Sequence, residues 1–501
     1  MKVNQFLDHY GINENPFSQE DAQSDRIFQE YLLKNTRHAA WDKVLGSPAT
    51  PSTAVVFGEQ GSGKTAMRIQ LVNEIREHNK ATPKSRVFIV EYDDFNPFLD
   101  MFREKLSSWQ KKPEKALQNW RLWDHMDAIL SLIVTRLSTA IRNNGKDLKD
   151  DSHSISMEAL QGLSRTQKRD ILLLAAVYDN DRDLAAKVRF DQLRSKLRYA
   201  SYGRYLSMLM GVAVTAGIFF VTYKMGGGWT GMSAYKWLWL IAVAAWFPFV
   251  WHQLRLFWQA WRISRQVRIV EHSVGTLRKL LATFNLSEYL GQPMPSKARS
   301  DDRYELILKL QNVLQSLGFS SISVIVDRVD EPHLINGAPE RMRDLIWPLF
   351  DNKFLKHPGF AFKLLLPAAV STFLNRQERE FYERSRLDKQ NLIPSLNWSG
   401  QALYDIANDR IKACSKTGQG TKAGIRDLFD PAISDGELIG IFERLRAPRH
   451  QFKFLYRLLV DHCGKYTEDQ PVWKIKPETL HSSLSLFMRD LDAYDRKLGT
   501  G

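Results

Sequence analysis

Two uncharged apolar stretches constrain this chain more than any other feature. Residues 205–223 and 237–254 contain no Asp, Glu, Lys or Arg, and residues 224–236 connect them through a short glycine-rich segment. A helix needs about 20 apolar residues to cross the hydrocarbon core of a bilayer. We therefore expect a hairpin of two membrane-spanning helices, with a helical hairpin buried in a large core as the alternative.

The charge of the chain is concentrated around these stretches. The sequence has 70 Lys and Arg against 56 Asp and Glu, a net charge of +14. Residues 187–268 contain twelve basic side chains and one acidic one, Asp191, and so account for +11 of that excess. Basic residues lie before the first stretch and after the second, which by the positive-inside rule predicts cytoplasmic N- and C-termini. We expect a two-span protein of the inner (cytoplasmic) membrane with the lipid bilayer as a partner.

A glycine-rich segment follows a short strand predicted at residues 52–57. It matches the Walker A pattern G-x-x-x-x-G-K-[ST], and an amphipathic helix is predicted after it. Backbone N–H groups of such a loop surround phosphate oxygens, and the helix N-terminus attracts the same anion. Lys64 is expected to contact the β- and γ-phosphates, and Thr65 to bind Mg²⁺. The predicted nucleotide-binding residues are Gly58, Glu59, Gln60, Gly61, Ser62, Gly63, Lys64 and Thr65.

An apolar strand predicted at residues 321–327 ends in an aspartate. Asp327 is therefore the best candidate for the Walker B carboxylate, which holds Mg²⁺. The next position is Arg328 and not an acid. Either Asp330 or Glu331 is the candidate that orients the attacking water, and the sequence does not choose between them.

Two further strands, predicted at residues 86–92 and 362–366, alternate with helical segments and indicate an α/β fold with a parallel sheet. The chain has no Asn-Lys-x-Asp motif for guanine, so ATP is favoured over GTP. Five parts are predicted from the N-terminus to the C-terminus. They are residues 1–100 with the Walker A loop, a helical insert at 101–200, the hairpin at 201–265, the second part of the NTPase domain at 266–395, and a C-terminal helical lid at 396–501.

The order of these features resembles the KAP family of P-loop NTPases, in which transmembrane helices lie between the two Walker motifs. In this chain Lys64 and Asp327 flank the predicted hairpin, and the resemblance covers residues 50–460. It implies an AAA+-like P-loop NTPase domain that uses ATP and Mg²⁺. Members typically have a second acid where this chain has Arg328. The resemblance also implies signalling, assembly of membrane complexes or bacterial anti-phage defence.

The N-terminal segment resembles a different group. Asn15, Pro16 and Phe17 are similar to the entry segment of secretion-type and origin-recognition-type AAA+ ATPases. That resemblance implies a position near the adenine of the nucleotide.

Three arginines in the second half of the chain are candidates for contacts with phosphate. Arg449 lies at the start of a predicted helix and resembles the sensor 2 arginine of AAA+ lid domains, which implies contact with the γ-phosphate. Arg384 and Arg386 are candidates for arginine fingers that act in trans in a homo-oligomer. The alternative for these two is a solvated helix face.

We expect a membrane-anchored ATPase that uses ATP to drive a conformational switch or an assembly step, as a homo-oligomer or with a partner protein. A nucleic-acid-dependent AAA+ ATPase is one alternative, although only +3 of net charge lies outside residues 187–268. An ATP-binding scaffold with little turnover is another, because Arg328 replaces an acid. A pore is less favoured, since neither apolar stretch contains a charge.

Overall fold

The computed structural model describes residues 1–33, 36–147, 151–181, 183–200, 206–225, 236–289, 291–374, 379–415 and 423–498. These residues form an α/β fold in which helices surround a five-stranded parallel sheet. The predicted fold class is confirmed at this level. Most of the glycine-rich connection predicted between the two apolar stretches, residues 226–235, lies outside the described residues.

The sheet contains β1 (Ala54–Gly58), β2 (Arg86–Tyr92), β3 (Phe319–Val326), β4 (Phe360–Pro367) and β5 (Asn391–Ile393). All neighbouring strands are parallel, and their order across the sheet is β2-β3-β4-β1-β5. The first four strands confirm the predicted segments with small shifts at their ends. The sequence does not predict β5, because a strand of three residues has too little periodicity to recognise.

The helices before β3 are α1 (Val3–His9), α2 (Trp41–Leu45), α3 (Lys64–Ala81), α4 (Asn96–Glu104), α5 (Pro113–Gln118), α6 (Leu122–Arg142), α7 (Met157–Gly162), α8 (Arg165–Tyr178), α9 (Ala186–Lys196), α10 (Leu206–Met225), α11 (Lys236–Gln266), α12 (Val274–Leu281), α13 (Leu286–Tyr289) and α14 (Asp301–Ser316). The helices after β3 are α15 (Pro339–Ile346), α16 (Asn352–Leu355), α17 (Ala368–Ser371), α18 (Arg379–Ser385), α19 (Gly400–Cys414), α20 (Asp435–Leu445), α21 (Pro448–Gly464) and α22 (Pro477–Leu498).

Both faces of the sheet are buried, which explains why its strands read as continuous apolar runs. In β1, Val55 and Phe57 belong to a large core that includes residues of α6, α8 and α14. Ala54 and Val56 belong to a smaller core with residues of α2 and α3. This alternation follows from the two-residue period of a strand. The loop after β1 therefore leaves the sheet between two layers of helices.

The N-terminal segment packs with the C-terminal helices. α1 contacts α21, and Phe6 shares a core with residues of α19 to α22. Arg410 on α19 is 1% exposed and joins the two parts of the chain. Its Nη1 donates to the Asp25 carboxylate at 2.6 Å, and its Nε donates to the Pro16 carbonyl at 2.6 Å. Residues from both ends of the sequence thus form one packing unit, called the C-terminal unit below.

The two apolar stretches form α10 and α11, which pack against each other. Trp246 donates from Nε1 to Thr215 Oγ1 at 3.0 Å, and its ring lies against Gly211. Of the 27 large hydrophobic side chains that are exposed in the described part, 18 lie on these two helices. Within that part, Leu240–Gln266 alone is long and apolar enough to cross a membrane, while Met208–Lys224 is apolar but shorter. The two-span arrangement stays a prediction.

The C-terminal end of α11 is attached to the end of α4. Lys105 donates from Nζ to the carbonyl oxygens of Val267 at 2.8 Å and Val270 at 2.9 Å. Burial lowers the pKa of Lys105 to about 8. The guanidinium of Arg268 lies over the ring of Phe102 on α4, 4.5 Å from its centroid. α11 therefore continues from an exposed apolar helix into the folded body of the protein.

A buried ion pair joins α6 to α14. Arg303 and Asp127 are fully buried, and Nε and Nη2 of the arginine donate to the two carboxylate oxygens at 3.0 and 2.9 Å. Tyr178 on α8 donates to the same carboxylate at 2.7 Å. The helices α6, α8 and α14 therefore meet at one carboxylate.

Replacing that carboxylate should destabilise the protein strongly. Asp127→Asn leaves the Arg303 charge buried without its counter-charge, so we expect the free energy of unfolding to fall by about 3–5 kcal/mol. Denaturation of the purified protein followed by circular dichroism measures this. Arg299→Gln is the control, because Arg299 is half exposed in its pair with Asp302 and its loss should change the stability far less. Equal effects of the two substitutions would contradict the role of the buried pair.

Candidate functional site

The glycine-rich loop lies at the carboxyl edge of the sheet. β1 ends at Gly58 and α3 begins at Lys64, so the loop connects a buried strand directly to a helix N-terminus. Asp327 follows β3 at the same edge, because all strands are parallel. β4 lies between these two strands. In open α/β sheets, ligands bind in crevices at the carboxyl ends of the strands.

Two glycines of the loop have backbone dihedral angles at which a residue with a side chain would be strained. Gly61 has φ +82° and Gly63 has φ +95°, both in the left-handed region. A Cβ added at Gly61 would lie 2.7 Å from the Cβ of Arg449. Gly63 is also the N-cap of α3, so the free N–H groups of the first helical turn lie next to the loop. Both the backbone conformation and the close approach of the C-terminal unit require glycine in this loop.

Lys64 is partly buried at the point where the loop meets α3. Its Nζ donates to two carbonyl oxygens of the loop, each at 2.9 Å. Burial lowers the pKa of Lys64, and the carboxylates of Asp330 and Asp327 offset part of that effect, with Asp330 the stronger of the two. Arg449 brings a second positive charge to the same cavity. Two cations beside free helix N–H groups favour an anionic ligand.

Thr65 and Asp327 form a pair of oxygen ligands. Thr65 Oγ1 donates to Asp327 Oδ2 at 3.2 Å, across the gap between α3 and β3. Asp327 is 2% exposed, and burial raises its pKa. Mg²⁺ usually takes one or two protein oxygens and completes its shell with phosphate and water. The two side chains fit such an ion, and the described part of the chain has no cluster of three or more His, Cys, Asp or Glu suited to a metal.

Arg68 supports this pair, and the sequence does not single it out. Its Nη1 donates to Glu91 at 2.7 Å and to Asp93 at 2.8 Å, and its Nε is 3.4 Å from Asp327 Oδ2. The residue is only 4% exposed. Its place on α3, one turn after Lys64, is the only local signal. Its partners lie on β2, just after β2 and just after β3, and no local pattern reveals them.

The loop after β3 gives its two acids different surroundings. Asp330 is partly buried, lines the cavity and has the stronger electrostatic effect on Lys64. The Glu331 side chain also lines the cavity but is 59% exposed and lies 3.5 Å from Arg328. Arg328 has φ +59° and donates to Gln23 in the N-terminal segment. Of the two acids, Asp330 is therefore the less exposed and the one that acts on the charge of Lys64.

Two residues of the C-terminal unit touch the loop. The backbone N–H of Arg449, at the start of α21, donates to the Gly61 carbonyl at 3.4 Å. Trp398 donates from Nε1 to the Ser62 carbonyl at 2.8 Å, and its ring lies beside Gly63. The sequence does not single out Trp398, because a lone tryptophan before a helix has no motif. The C-terminal unit thus forms one wall of the site.

The cavity enclosed by these elements has a volume of about 200 Å³. Asn15, Pro16 and Phe17 lie outside the lining of this cavity as far as the chain is described. Phe17 packs against Phe452, which does line it, with ring centroids 6.3 Å apart. The N-terminal segment lines the cavity instead through residues further along, which are Glu20, Asp21, Ala22, Asp25, Phe28, Leu32, Thr36 and His38.

Arg384 and Arg386 lie elsewhere. Arg384 lines a separate surface pocket with Trp120 and Trp347. Arg386 has φ +44° and lies 3.5 Å from Asp388. Neither lines the cavity at the glycine-rich loop within one chain. Their predicted role in trans stays a prediction.

No protein-family model matches this chain, and no curated protein or solved structure is significantly similar to it.

Proposed function

We propose that this protein is a membrane-anchored ATPase whose cytoplasmic domain binds ATP with Mg²⁺ and hydrolyses it. One observation carries the proposal. Lys64, Thr65, Asp327, Asp330 and Arg449 come from distant parts of the sequence, and they line a single cavity at the carboxyl edge of the sheet. If the glycine-rich turn matched the Walker A pattern only by chance, these side chains would not be expected to line one cavity beside it.

The phosphates of ATP are proposed to occupy the loop. Lys64 exchanges its bonds to loop carbonyls for bonds to the β- and γ-phosphates, and the N–H groups at the start of α3 donate to the same oxygens. Arg449 contacts the γ-phosphate from the C-terminal unit. Thr65 and Asp327 would hold Mg²⁺, which would supply positive charge to neutralise the phosphates.

Asp330 then has the position of the catalytic carboxylate. It orients a water and accepts a proton as the water oxygen bonds to the γ-phosphorus and the bond to the bridging oxygen breaks. Lys64 and Arg449 stabilise the charge that develops on the phosphate oxygens. ATP is preferred over GTP because the chain lacks a guanine-reading motif.

An ATP-binding scaffold without turnover has less support. It rests on Arg328, which stands where the resembled family has a second acid. The Arg328 side chain is directed to Gln23 and Glu331, while Asp330 brings a carboxylate to the cavity two positions later. The loop therefore retains an acid for hydrolysis despite the arginine.

Nucleotide binding tests the first part of the proposal. Lys64→Ala should weaken ATP binding by at least about tenfold, because it removes a charge-assisted contact with phosphate. Equilibrium binding of a fluorescent ATP analogue to the purified protein measures this. Lys80→Ala on the same helix is the matched control, since that side chain is 73% exposed and should leave affinity unchanged. Equal affinities for all three proteins would refute a phosphate site at Lys64.

Hydrolysis separates the two candidate acids. Asp330→Asn should lower the rate of phosphate release by about 10²–10⁴-fold with ATP binding retained, because the proton acceptor is lost. Glu331→Gln should stay within about threefold of the wild-type rate, since that carboxylate is mostly solvated and faces Arg328. The reverse pattern would assign the role to Glu331. An unmodified protein that binds ATP and releases no phosphate would favour the scaffold.

The membrane anchor is supported by the surface of α10 and α11. Soluble proteins rarely leave so many large apolar side chains exposed on two adjacent helices. α11 has 31 residues and is about 46 Å long, more than the roughly 30 Å of a hydrocarbon core. A membrane would cover the first part of this helix and leave its last turns in the cytoplasmic body.

Fractionation of cells tests this placement. We expect the protein to stay in the membrane pellet after washing with carbonate at high pH and to leave it only with detergent, because apolar side chains anchor it. A known peripheral protein from the same cells should be released by carbonate and serves as the control. Recovery of this protein in the carbonate supernatant would contradict the anchor.

A further inference from the structure

The last part of α11 has two opposite faces. Leu256, Ala260 and Ile263 are at most 2% exposed and pack into the large core. Residues two positions away on a helix lie about 200° around its axis. Trp258 and Arg262 therefore point away from that core, and both are exposed. Arg265 lies two positions after the buried Ile263, so it also points away from the core and is exposed.

The exposed face carries three pairs of tryptophan and arginine, each four residues apart. The pairs are Trp251 with Arg255, Trp258 with Arg262, and Trp261 with Arg265. In this order, the distance from the guanidinium carbon to the centroid of the indole ring is 5.5, 5.8 and 5.6 Å. The three indoles are 40–51% exposed. We call these six residues the Trp–Arg stripe. Side chains four positions apart lie on one helix face, so the stripe is continuous.

Among the residues that the structure describes, no acidic side chain pairs with the positive charges of the stripe. The sequence contains no Asp or Glu between Asp191 and Glu271. In the described part of the chain, the three arginines of the stripe form no ion pair, whereas buried arginines such as Arg303 are paired with carboxylates. A row of unpaired arginines on an exposed helix face is complementary to a polyanionic surface.

We propose that the Trp–Arg stripe binds the headgroups of anionic phospholipids in the cytoplasmic leaflet. This inference rests on the proposed membrane location of α11. Tryptophan is enriched where headgroups meet the hydrocarbon core, and arginine attracts lipid phosphates there. The stripe begins at Trp251, close to the end of the uncharged part of α11, so it is continuous with the proposed anchor. Lipid binding at this position holds the cytoplasmic body against the bilayer through its buried contacts with α11.

Nucleic acid is also a polyanion, but anionic lipid is a better match to the surroundings of the stripe. The stripe shares one helix with exposed Leu240, Val243 and Phe247, which a nucleic acid would leave in water. Bases also stack on aromatic faces, and in this stripe a guanidinium lies over each ring. Pro248 removes one backbone hydrogen bond just before the stripe and allows the helix to bend toward the membrane plane.

The test measures the preference of the full-length protein for anionic lipid. The purified protein is reconstituted in phosphatidylcholine bilayers with a minor fraction of either brominated phosphatidylglycerol or brominated phosphatidylcholine, and quenching of tryptophan fluorescence gives the relative affinity of the two. Each arginine near an anionic surface contributes about a fivefold preference, so we expect at least a tenfold preference for phosphatidylglycerol in low salt. It should decline in high salt because the charges are screened.

Substitutions assign the preference to the stripe. The triple variant R255Q/R262Q/R265Q should quench equally with both lipids, and R255K/R262K/R265K should keep most of the preference, because charge is retained. The control K84Q/K412Q/R444Q removes three exposed basic side chains from other parts of the protein and should behave as wild type. All four proteins should bind ATP equally, which shows that they are folded.

The outcomes separate this inference from the proposed function. Equal quenching by both lipids in the wild type, or an unchanged preference in the glutamine variant, would overturn the lipid site and leave the membrane anchor intact. Absence of quenching by either lipid would overturn the anchor and the lipid site together. No lipid preference together with salt-sensitive binding of single-stranded DNA, lost in the glutamine variant, would identify nucleic acid as the partner instead.

Discussion

A single buried guanidinium determines how the carboxyl edge of the sheet is arranged. Arg68 lies among the carboxylates of Glu91, Asp93 and Asp327, which come from β2, the turn after it and the position after β3. A buried arginine is costly unless it is paired, and a buried aspartate is costly for the same reason. Each charge therefore requires the other. This mutual requirement fixes Asp327 opposite α3, and with it the 3.2 Å contact to Thr65.

The same edge is connected to α11 through one short helix. α4 begins three residues after Asp93, and its Asn96 accepts a hydrogen bond from the backbone N–H of His333 at 3.1 Å. His333 belongs to the loop that carries Asp330, and its ring is 3.1 Å from Asp100 on α4. At the other end of α4, Lys105 donates to the carbonyls of Val267 and Val270, just after α11 ends. α4 has nine residues, so about 13 Å of helix separates the two groups of contacts.

Local patterns in the sequence predicted only those features that depend on residues close together in the chain. The glycine loop and the strand that ends at Asp327 are continuous segments whose residues must have certain backbone or burial properties, so four strands and the cavity-lining Lys64 could be predicted. Arg68 reads as a solvated helix residue until β2 and β3 surround it. Arg410 and Asp25 are 385 residues apart, and no periodicity shows that the two ends of the chain share a core. Long-range pairing of this kind needs the fold.

The distribution of charge follows a related division. Inside the body, Arg189 pairs with Asp179 and Arg268 with Asp124, so these arginines neutralise carboxylates that folding has buried. Their positive charge is needed to build the core and adds nothing to the surface. The arginines at positions 255, 262 and 265 do not neutralise buried carboxylates, because the buried face of α11 consists of apolar side chains. Three positive charges of the chain therefore lie on one helix surface, and the requirements of folding do not account for them.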